Sequence, residues 1–265
     1  MHRLATRHTK LLRGQTVRVS SPQGRFVDAV LVDGQVFRSA EAFGKHLFHD
    51  YANGLSVHVH LGIYGEFHER EGLVEPKPTT RMRVVGAVGE AGGIGSAVVL
   101  DLIGPTACEV VDDAGRAAIV ERVGPDPLRR DADPERAWER LRRRKGPIGP
   151  ALLDQTLFAG VGNVFRAEAL FVHGIHPETP IPTITREQFD ALWSTLTRML
   201  RTGVKEGRIM TVDAVELSVR RRDLTRENGR YVYRQETCLR CGTPVRRWDM
   251  AGRWSYACEL CQPKP

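Results

Sequence analysis

Short runs of alternating apolar and polar residues fill the chain from residue 15 to about residue 124, with Gly, Asp or Pro between them. This period of two is typical of antiparallel strands that bury one face. The runs are TVRVS, AVLVDG, LSVHVHLGIYG, RMRVVGAVG, SAVVLDL and CEVVD. Ahead of them, Leu4, His8, Leu11 and Leu12 have helical spacing. We therefore predict an antiparallel sandwich or barrel with one helix packed on it.

The period changes in the second half of the chain. From about Pro134 to Val219, apolar residues recur every three or four positions, which predicts helices. The segment GPDPLRRDADPER before it is rich in Pro and charge and is typical of a linker. The predicted organisation is a β domain over 1–124, a linker over 125–133, a helical domain over 134–228 and a small C-terminal unit over 229–265.

The composition is that of a globular protein, since 41% of the 265 residues are hydrophobic and 27% are charged. No apolar run approaches about 18 residues, so we expect no membrane span and no membrane partner. The first 14 residues are basic but lack the apolar core of a secretory signal. We expect a cytoplasmic protein.

Positive charge is concentrated at two separated places. The net charge is +7, yet residues 1–25 hold six Lys and Arg with no acid, and residues 220–253 hold ten Arg against four acids. Two basic surfaces are suited to holding a polyanion such as nucleic acid. Two solvated arginine-rich faces fit the charge equally well.

Four of the five cysteines lie close together at the C-terminus. Cys238, Cys241, Cys258 and Cys261 have the spacing C-x2-C-x16-C-x2-C, which indicates a site for one structural zinc ion with four thiolate ligands. The residues between the two pairs predict a β-hairpin. Disulfide bonds are the alternative, which a cytosolic setting disfavours. Cys108 stands apart and is predicted to be a buried core residue.

A glycine-rich break interrupts the helical pattern at GVGN, residues 160–163. The backbone amides at the start of the second helix would be available to an anion, so a phosphate can bind there. A helical hairpin with glycine in its turn, built only for packing, fits the same pattern.

These motifs together resemble the formamidopyrimidine-DNA glycosylase/endonuclease VIII family. The resemblance extends over nearly the whole chain and rests on VGPDPL, FGKHL, HLGIYGEF, IGPALLDQTLFAGVGNVFRAEALF and AGRWSYACELCQ. HLGIYG and GPTACEVV place the chain nearer the endonuclease VIII side. The resemblance implies a multidomain α+β fold with an N-terminal β-sandwich and flanking helices, a helical helix-two-turn-helix domain, and a C-terminal zinc-finger β-hairpin. It also implies a monomer that binds damaged double-stranded DNA.

The resemblance assigns phosphate contacts and one catalytic role. Lys45 of FGKHL matches the lysine that contacts phosphate and assists β-elimination. Asn163 matches the asparagine that binds backbone phosphate together with the amides of the turn at Gly162. Arg253 matches the finger arginine that contacts the phosphates flanking the lesion, and we group it with Lys45 as a catalytic candidate.

A second set of implied contacts concerns the flipped nucleotide. Ile63 and the neighbouring Tyr64 match the wedge that fills the gap left in the base stack, although Ile63 also suits an ordinary strand position. Ile103 stands where the resemblance leads us to expect an arginine that contacts DNA opposite the lesion. His58 and His60 share a strand face, for which ordinary strand histidines are a better interpretation than metal ligands.

The chain departs from the family pattern at its start. Family members begin Pro-Glu-Gly after the initiator methionine; the proline amine attacks C1′ and forms a Schiff base, and the glutamate is a general acid/base. Here HRLA begins at His2, so these residues are absent from the sequence. A start site assigned too late is the favoured explanation. A shortened chain and a natural loss of the chemistry are the others.

Two main functional hypotheses follow from the resemblance. The first is a DNA glycosylase with abasic-site lyase activity that removes oxidised bases, mainly pyrimidines, and cleaves the strand by β,δ-elimination. The second is a catalytically impaired protein that binds damaged or abasic DNA. A third reading, an RNA-associated zinc-ribbon protein, fits the charge and the cysteines but does not account for FGKHL or GVGN.

Overall fold

Contacts divide the chain into two compact units, Met1–Arg122 and Val123–Pro265. The computed structural model describes residues 1–86, 97–216, 218, 220–225 and 227–265. The last three residues of the predicted run RMRVVGAVG, Ser96 of SAVVLDL, and Val219 lie outside the described residues. The helices from residue 134 onward and the C-terminal hairpin share the second unit, and residues 125–127 at the start of the predicted linker are buried.

The first unit contains two antiparallel sheets of four strands each. The first sheet has the order β1 (Arg18–Ser20), β6 (Thr80–Val85), β7 (Val98–Ile103) and β5 (Glu66–Glu71). The second has the order β2 (Phe37–Phe43), β3 (His46–Tyr51), β4 (Ser56–His60) and β8 (Ala107–Val111). This architecture confirms the predicted sandwich.

One hydrophobic core joins the two sheets. Alternating side chains such as Val84 of β6 and Leu47 of β3 are fully buried in the same cluster. Helix α1 (His2–Leu12) closes the core with Ala5 and Leu12, as its helical spacing predicts. Burial of these apolar side chains is the main stabilising contribution to the unit.

Two segments of the first unit differ from the alternating pattern. AVLVDG was predicted as a strand, but Val27–Leu31 forms a 3₁₀ helix. Ala29 and Val32, which are three residues apart, point into the core, and Val30 between them is exposed. This spacing of buried residues is that of a 3₁₀ helix and not the period of two of a strand. Helix α2 (Asp113–Arg122) follows β8 and was missed. Asp112 Oδ1 accepts a hydrogen bond from the Gly115 amide at 2.8 Å, which is a helix-capping contact.

The described residues of the second unit form four α-helices, two short 3₁₀ helices (Ile181–Thr183 and Arg221–Asp223) and a hairpin. The α-helices are α3 (Pro134–Arg142), α4 (Ile148–Ala151), α5 (Asn163–Val172) and α6 (Arg186–Glu206), and the hairpin pairs β9 (Arg246–Met250) with β10 (Arg253–Ala257). A capping box between Thr185 and Gln188 starts α6. Within the described part of the chain, no helix is both long enough and apolar enough to cross a bilayer.

Candidate functional site

The GVGN segment places the start of α5 at the protein surface. Gly162 is the N-cap in an extended conformation, and no side chain caps the amides of the first turn. Gln155 supports the preceding turn, because its Oε1 accepts a hydrogen bond from the Gly160 amide at 3.0 Å. Uncapped amides and the helix dipole together favour an anion at this position.

Asn163 connects the start of α5 to the C-terminal hairpin. Its Nδ2 donates a hydrogen bond to the Trp254 carbonyl oxygen at 2.9 Å, and an Arg166 guanidinium nitrogen donates to the same oxygen at 2.7 Å. The second N–H of the Asn163 amide is not used in this contact. The structure thus brings together Asn163 and the hairpin that carries Arg253, which lie 90 positions apart in the sequence.

Arg166 is an unusual residue for a helix interior. Its side chain is fully buried, and its Nε and one terminal nitrogen have no hydrogen-bond partner. The pKa of the guanidinium is lowered to about 10, chiefly by burial and in smaller part by the nearby Arg253, against the opposing effect of Tyr233 and Tyr256. A positive charge buried beside Asn163 and Arg253 strengthens the attraction of this surface for an anion.

Arg253 directly follows the turn of the hairpin. Ala251 and Gly252 form this two-residue turn and both have positive φ, 54° and 74°, which is the geometry that matches the twist of paired strands. The Asp249 carboxylate accepts a hydrogen bond from the Gly252 amide at 3.2 Å. Arg253 is exposed at the beginning of β10, so its guanidinium is available to a ligand in solution.

The four predicted zinc ligands form one cluster. The Sγ atoms of Cys238, Cys241, Cys258 and Cys261 all lie within 4.8 Å of one another. Cys241 Sγ is 3.4 Å from Cys258 Sγ and 3.5 Å from Cys261 Sγ. Zinc–sulfur bonds of about 2.3 Å in a tetrahedron require sulfur atoms about 3.8 Å apart, so the cluster fits one metal ion.

A buried glutamate attaches the segment before the first cysteine pair to α5. Glu168 is fully buried, and its two carboxylate oxygens accept hydrogen bonds from the backbone amides of Tyr231, Val232 and Tyr233 at 2.7–2.9 Å and from the Thr211 hydroxyl at 2.5 Å. Burial raises the pKa of Glu168, and the four donated hydrogen bonds oppose that rise. All four groups are donors, so this arrangement suits the ionised carboxylate.

A cavity of about 590 Å³ opens beside the start of α5. Val164, the residue after Asn163, contributes to its wall, together with the apolar Ile209 and Met210. The guanidinium groups of Arg230 and Arg234 both lie near the Tyr233 ring, with their central carbons 5.4 and 5.6 Å from its centroid. The cavity therefore combines apolar walls with positive charge.

In the first unit, Lys45 lies in the turn between β2 and β3, next to three histidines. His46 Nδ1 is 2.9 Å from His58 Nε2, and His58 Nδ1 is 2.8 Å from a Glu109 carboxylate oxygen. The His60 ring lies 5.0 Å from that of His46. Burial lowers the pKa of His46 to about 4 and lowers that of His60, so both imidazoles are neutral at pH 7.

Within the described residues, these histidines do not form a group arranged to bind a metal; the cysteine cluster alone has that geometry. His58 is instead held by hydrogen bonds to a neighbouring ring and to a carboxylate. His58 and His60 both belong to strand β4.

Ile63 and Tyr64 project from the turn between β4 and β5. Their exposed fractions are 71% and 85%, which is unusual for large apolar side chains. Gly62 has a φ of 68°, and a Cβ there would lie 1.9 Å from the Thr106 hydroxyl oxygen. At Gly65 a Cβ would lie 2.3 Å from the Leu61 carbonyl oxygen. The two glycines thus allow the tight turn that exposes the pair.

We expect Gly65→Ala to distort this turn. The new methyl group meets backbone rather than a flexible side chain, so the turn must rearrange, and the free energy of unfolding should fall by about 2 kcal/mol. Urea denaturation of the variant provides the measurement. Gly203→Ala is the control, because its Cβ would meet no atom closer than 3.5 Å and its φ, like that of Gly65, is not positive. Equal losses for both variants would contradict the close contact at Gly65.

Several residues of this region were not singled out from the sequence. Arg166 and Glu168 stand in an otherwise apolar helix, and that pattern was the available signal for a special role. Trp254 gave no such signal. The roles assigned to the other site residues remain predictions. These residues are Lys45, Ile63, Tyr64, Gly162, Asn163 and Arg253.

Comparison with known proteins finds similarity to formamidopyrimidine-DNA glycosylases and to an endonuclease 8. The formamidopyrimidine-DNA glycosylase H2TH domain model matches residues 123–214. An endonuclease 8 1 of Mycobacterium tuberculosis is 45% identical over 270 residues, covering 99% of this chain and 97% of the relative. A formamidopyrimidine-DNA glycosylase of Corynebacterium urealyticum is 29% identical over 272 residues, covering 99% and 92%.

Solved structures give the same result for the fold. The MutM (Fpg) protein of Thermus thermophilus matches with a TM-score of 0.76 and 29% identity, over 99% of this chain and 97% of that one. The Lactococcus lactis Fpg in complex with DNA containing an abasic site has a TM-score of 0.76 at 20% identity, with 99% and 97% covered. At 20% identity, the similarity to the Lactococcus lactis structure supports a shared fold and nothing more.

Proposed function

Because the chain belongs to the formamidopyrimidine-DNA glycosylase/endonuclease VIII family of DNA-binding DNA glycosylases, we propose that it removes oxidised pyrimidines from duplex DNA and then cleaves the strand as an abasic-site lyase. The similarity to an endonuclease 8 along nearly the whole chain supports the proposal, and the substrate class is the one that the family resemblance implies. The competing proposal is a catalytically impaired protein that binds damaged DNA.

The hydrogen bond from Asn163 to the Trp254 carbonyl is the observation that carries the DNA-binding part of the proposal. It connects the start of α5 with the Arg253 hairpin, so two groups suited to phosphate occupy one surface of the second unit. Asn163 and the amides after Gly162 bind one phosphate as donors, and Arg253 adds a charged contact. The buried Arg166 charge supports both.

In the first unit, Lys45 is assigned a second phosphate contact, and the exposed turn at Ile63 and Tyr64 is assigned the wedge. The lysine ammonium contacts a phosphate and assists its departure as a positive charge. The apolar pair fills the space that a flipped nucleotide leaves in the base stack. Two exposed side chains on a tight turn are suited to this role because they can enter the stack without rearrangement of the sheet.

The lyase reaction needs an amine at C1′ of the damaged nucleoside. The amine displaces the base by breaking the N-glycosidic bond and becomes an imine with the opened sugar. Loss of a C2′ proton from the imine then expels the 3′ phosphate, and a second elimination expels the 5′ phosphate. The family amine belongs to an N-terminal proline, and the sequence printed here contains no Pro-Glu ahead of His2.

The cavity beside Val164 is the proposed pocket for the flipped base. It adjoins Asn163, so a nucleotide whose phosphate is bound there has its base within reach of the opening. Apolar walls formed by Ile209 and Met210 suit a planar base. The nearby arginines suit the additional carbonyl oxygens of an oxidised pyrimidine, which accept hydrogen bonds.

One structural zinc ion is proposed for the cysteine cluster. If all four thiolates are ligands, the ion has no open position for water and takes no part in the reaction. The ion would hold together the loops on either side of the hairpin. Because Arg253 lies on that hairpin, the ion would also fix the position of Arg253.

Borohydride trapping on a duplex with one abasic site tests the lyase proposal, because reduction converts a Schiff base into a stable covalent adduct. We expect an adduct from the chain preceded by an N-terminal Pro-Glu segment. The chain without that segment is expected to bind the same duplex with little adduct, because Met1 does not supply the secondary amine of the family's proline.

Two variants locate the contributing groups. Lys45→Ala in the extended chain is expected to slow strand cleavage at least about tenfold, which corresponds to one lost charged contact. Lys77→Ala removes an exposed lysine elsewhere in the same unit and should leave the rate unchanged. If both chain forms bind abasic DNA and neither gives an adduct, the lyase proposal is wrong and the impaired binder is supported.

A further inference from the structure

Trp254 is an exposed aromatic residue on the hairpin that carries Arg253. Its exposed fraction is 50%. The other three tryptophans pack against rings: Trp138 on Phe189, Trp193 on Phe158 and Trp248 on His176. A half-exposed indole leaves aromatic area in water, and covering that area with a ligand is favourable.

The main chain and a neighbouring side chain hold the indole in place. The Trp254 carbonyl accepts hydrogen bonds from Asn163 and Arg166, and the Arg247 guanidinium carbon lies 4.5 Å from the ring centroid. Arg247 and Trp254 occupy diagonal positions of the antiparallel pair. An aromatic ring fixed in this way loses little conformational entropy when it binds.

We propose that the Trp254 indole stacks on an unpaired nucleobase of the damaged DNA. The proposal rests on the phosphate contacts assigned to Asn163 and Arg253 under the proposed function, and adds a specificity-determining contact to them. A base is joined to its phosphate through one sugar, so the indole of a residue whose main-chain carbonyl is bonded to Asn163 lies within one or two nucleotides of a phosphate bound at that residue.

The charges around the ring favour a nucleic acid over other ligands. Arg247 lies on the same face of the hairpin as Trp254, and Arg253 is the preceding residue of β10 on the opposite face; both arginines are exposed. Asp249, the direct cross-strand partner of Trp254, uses its carboxylate to accept the Gly252 amide. A polyanion with planar faces satisfies the Arg247 guanidinium and the indole together. Paired bases have both faces covered by their neighbours in the stack. A base that has lost its partner, or lies beside a flipped nucleotide, offers a free face.

The test measures binding of the full chain to two duplexes of equal length, one with a stable abasic-site analogue opposite an unpaired base and one fully paired. Trp254→Ala is expected to weaken binding to the first about 5- to 10-fold, the low end of what one stacked base contributes, and to change binding to the second less than twofold. Trp254→Phe should retain most of the affinity. Trp254→Leu, which keeps apolar area but lacks an aromatic face, should behave like the alanine variant.

Two readouts separate stacking from a structural effect. The intrinsic tryptophan fluorescence of the parent should be quenched by the abasic duplex, and most of this quenching should disappear in Trp254→Phe. Leu260→Ala, a change at another exposed apolar residue of the finger region, is the matched control for affinity. Metal content equal to that of the parent shows that each variant retains the cysteine cluster.

The salt dependence distinguishes this proposal from the proposed function. Arg253→Ala should lower the slope of log K against log salt concentration by about 1, since it removes a cation at a phosphate. Trp254→Ala should leave that slope unchanged. If Arg253→Ala changes the slope and Trp254→Ala binds like the parent, the stacking proposal is overturned alone. If Trp254→Ala weakens both duplexes equally, the ring does not recognise an unpaired base.

Discussion

Replacing Glu168 by glutamine is expected to lower the free energy of unfolding of the second unit by about 3 kcal/mol or more. The carboxylate accepts four hydrogen bonds in a fully buried site. A glutamine amide has only one oxygen, and its NH₂ group must face two of the donors. Those donors then lose their partner without gaining water, which is the costly case for buried polar groups.

Urea denaturation of the full chain, followed by fluorescence and by circular dichroism, measures this loss. Glu139→Gln is the control, because Glu139 is an exposed residue of α3 that makes only an ion pair with Arg143 at 3.6 Å. It should cost less than about 0.5 kcal/mol. A Glu168→Gln variant as stable as the control would show that the carboxylate does not fix residues 231–233.

Removal of the metal is expected to unfold the hairpin region. One zinc ion per chain should be released by a strong chelator, together with the ordered structure of residues 236–262, because four thiolates contribute apparent binding free energies of about 10–16 kcal/mol in small zinc domains. Elemental analysis and hydrogen exchange measure the two effects. DNA affinity should fall in parallel, since Arg253 lies within that segment.

Single cysteine substitutions provide the matched comparison. Cys258→Ser removes a fully buried member of the cluster and should abolish stoichiometric zinc. Cys108→Ser changes the one cysteine outside the cluster and should retain it. Burial raises the pKa of the Cys108 thiol to about 12, so this residue is a neutral thiol at pH 7. A protein purified without zinc that is nevertheless fully ordered over residues 236–262 would refute the assignment.

Features with a strict sequence period or spacing were predicted best. The alternation of the first unit gave the sandwich, the spacing of the cysteines gave the cluster, and GVGN gave the start of α5. Each of these signals is local, because it depends on which residues are neighbours along a strand, a turn or a helix.

The parts that were missed depend on contacts distant in sequence. Nothing near Trp254 indicates that its carbonyl is bound by Asn163 and Arg166, and nothing near Glu168 indicates that its partners are amides 63–65 residues away. The prediction of a strand at AVLVDG, where Val27–Leu31 forms a 3₁₀ helix, was wrong for another reason. The burial of this helix follows a period of three over only five residues, which is too short to distinguish from a strand.

The contact between Asn163 and the Trp254 carbonyl also bears on protein engineering. A metal-binding hairpin is commonly regarded as a module that can be exchanged between relatives. Here the carbonyl at the tip of the hairpin is held by α5, and Gln262 after the last cysteine donates a hydrogen bond to the Ile175 carbonyl at 2.7 Å. A chimera that receives a foreign hairpin must therefore keep the side chains of Asn163 and Arg166 on α5 and a glutamine at position 262, or its arginine will be misplaced.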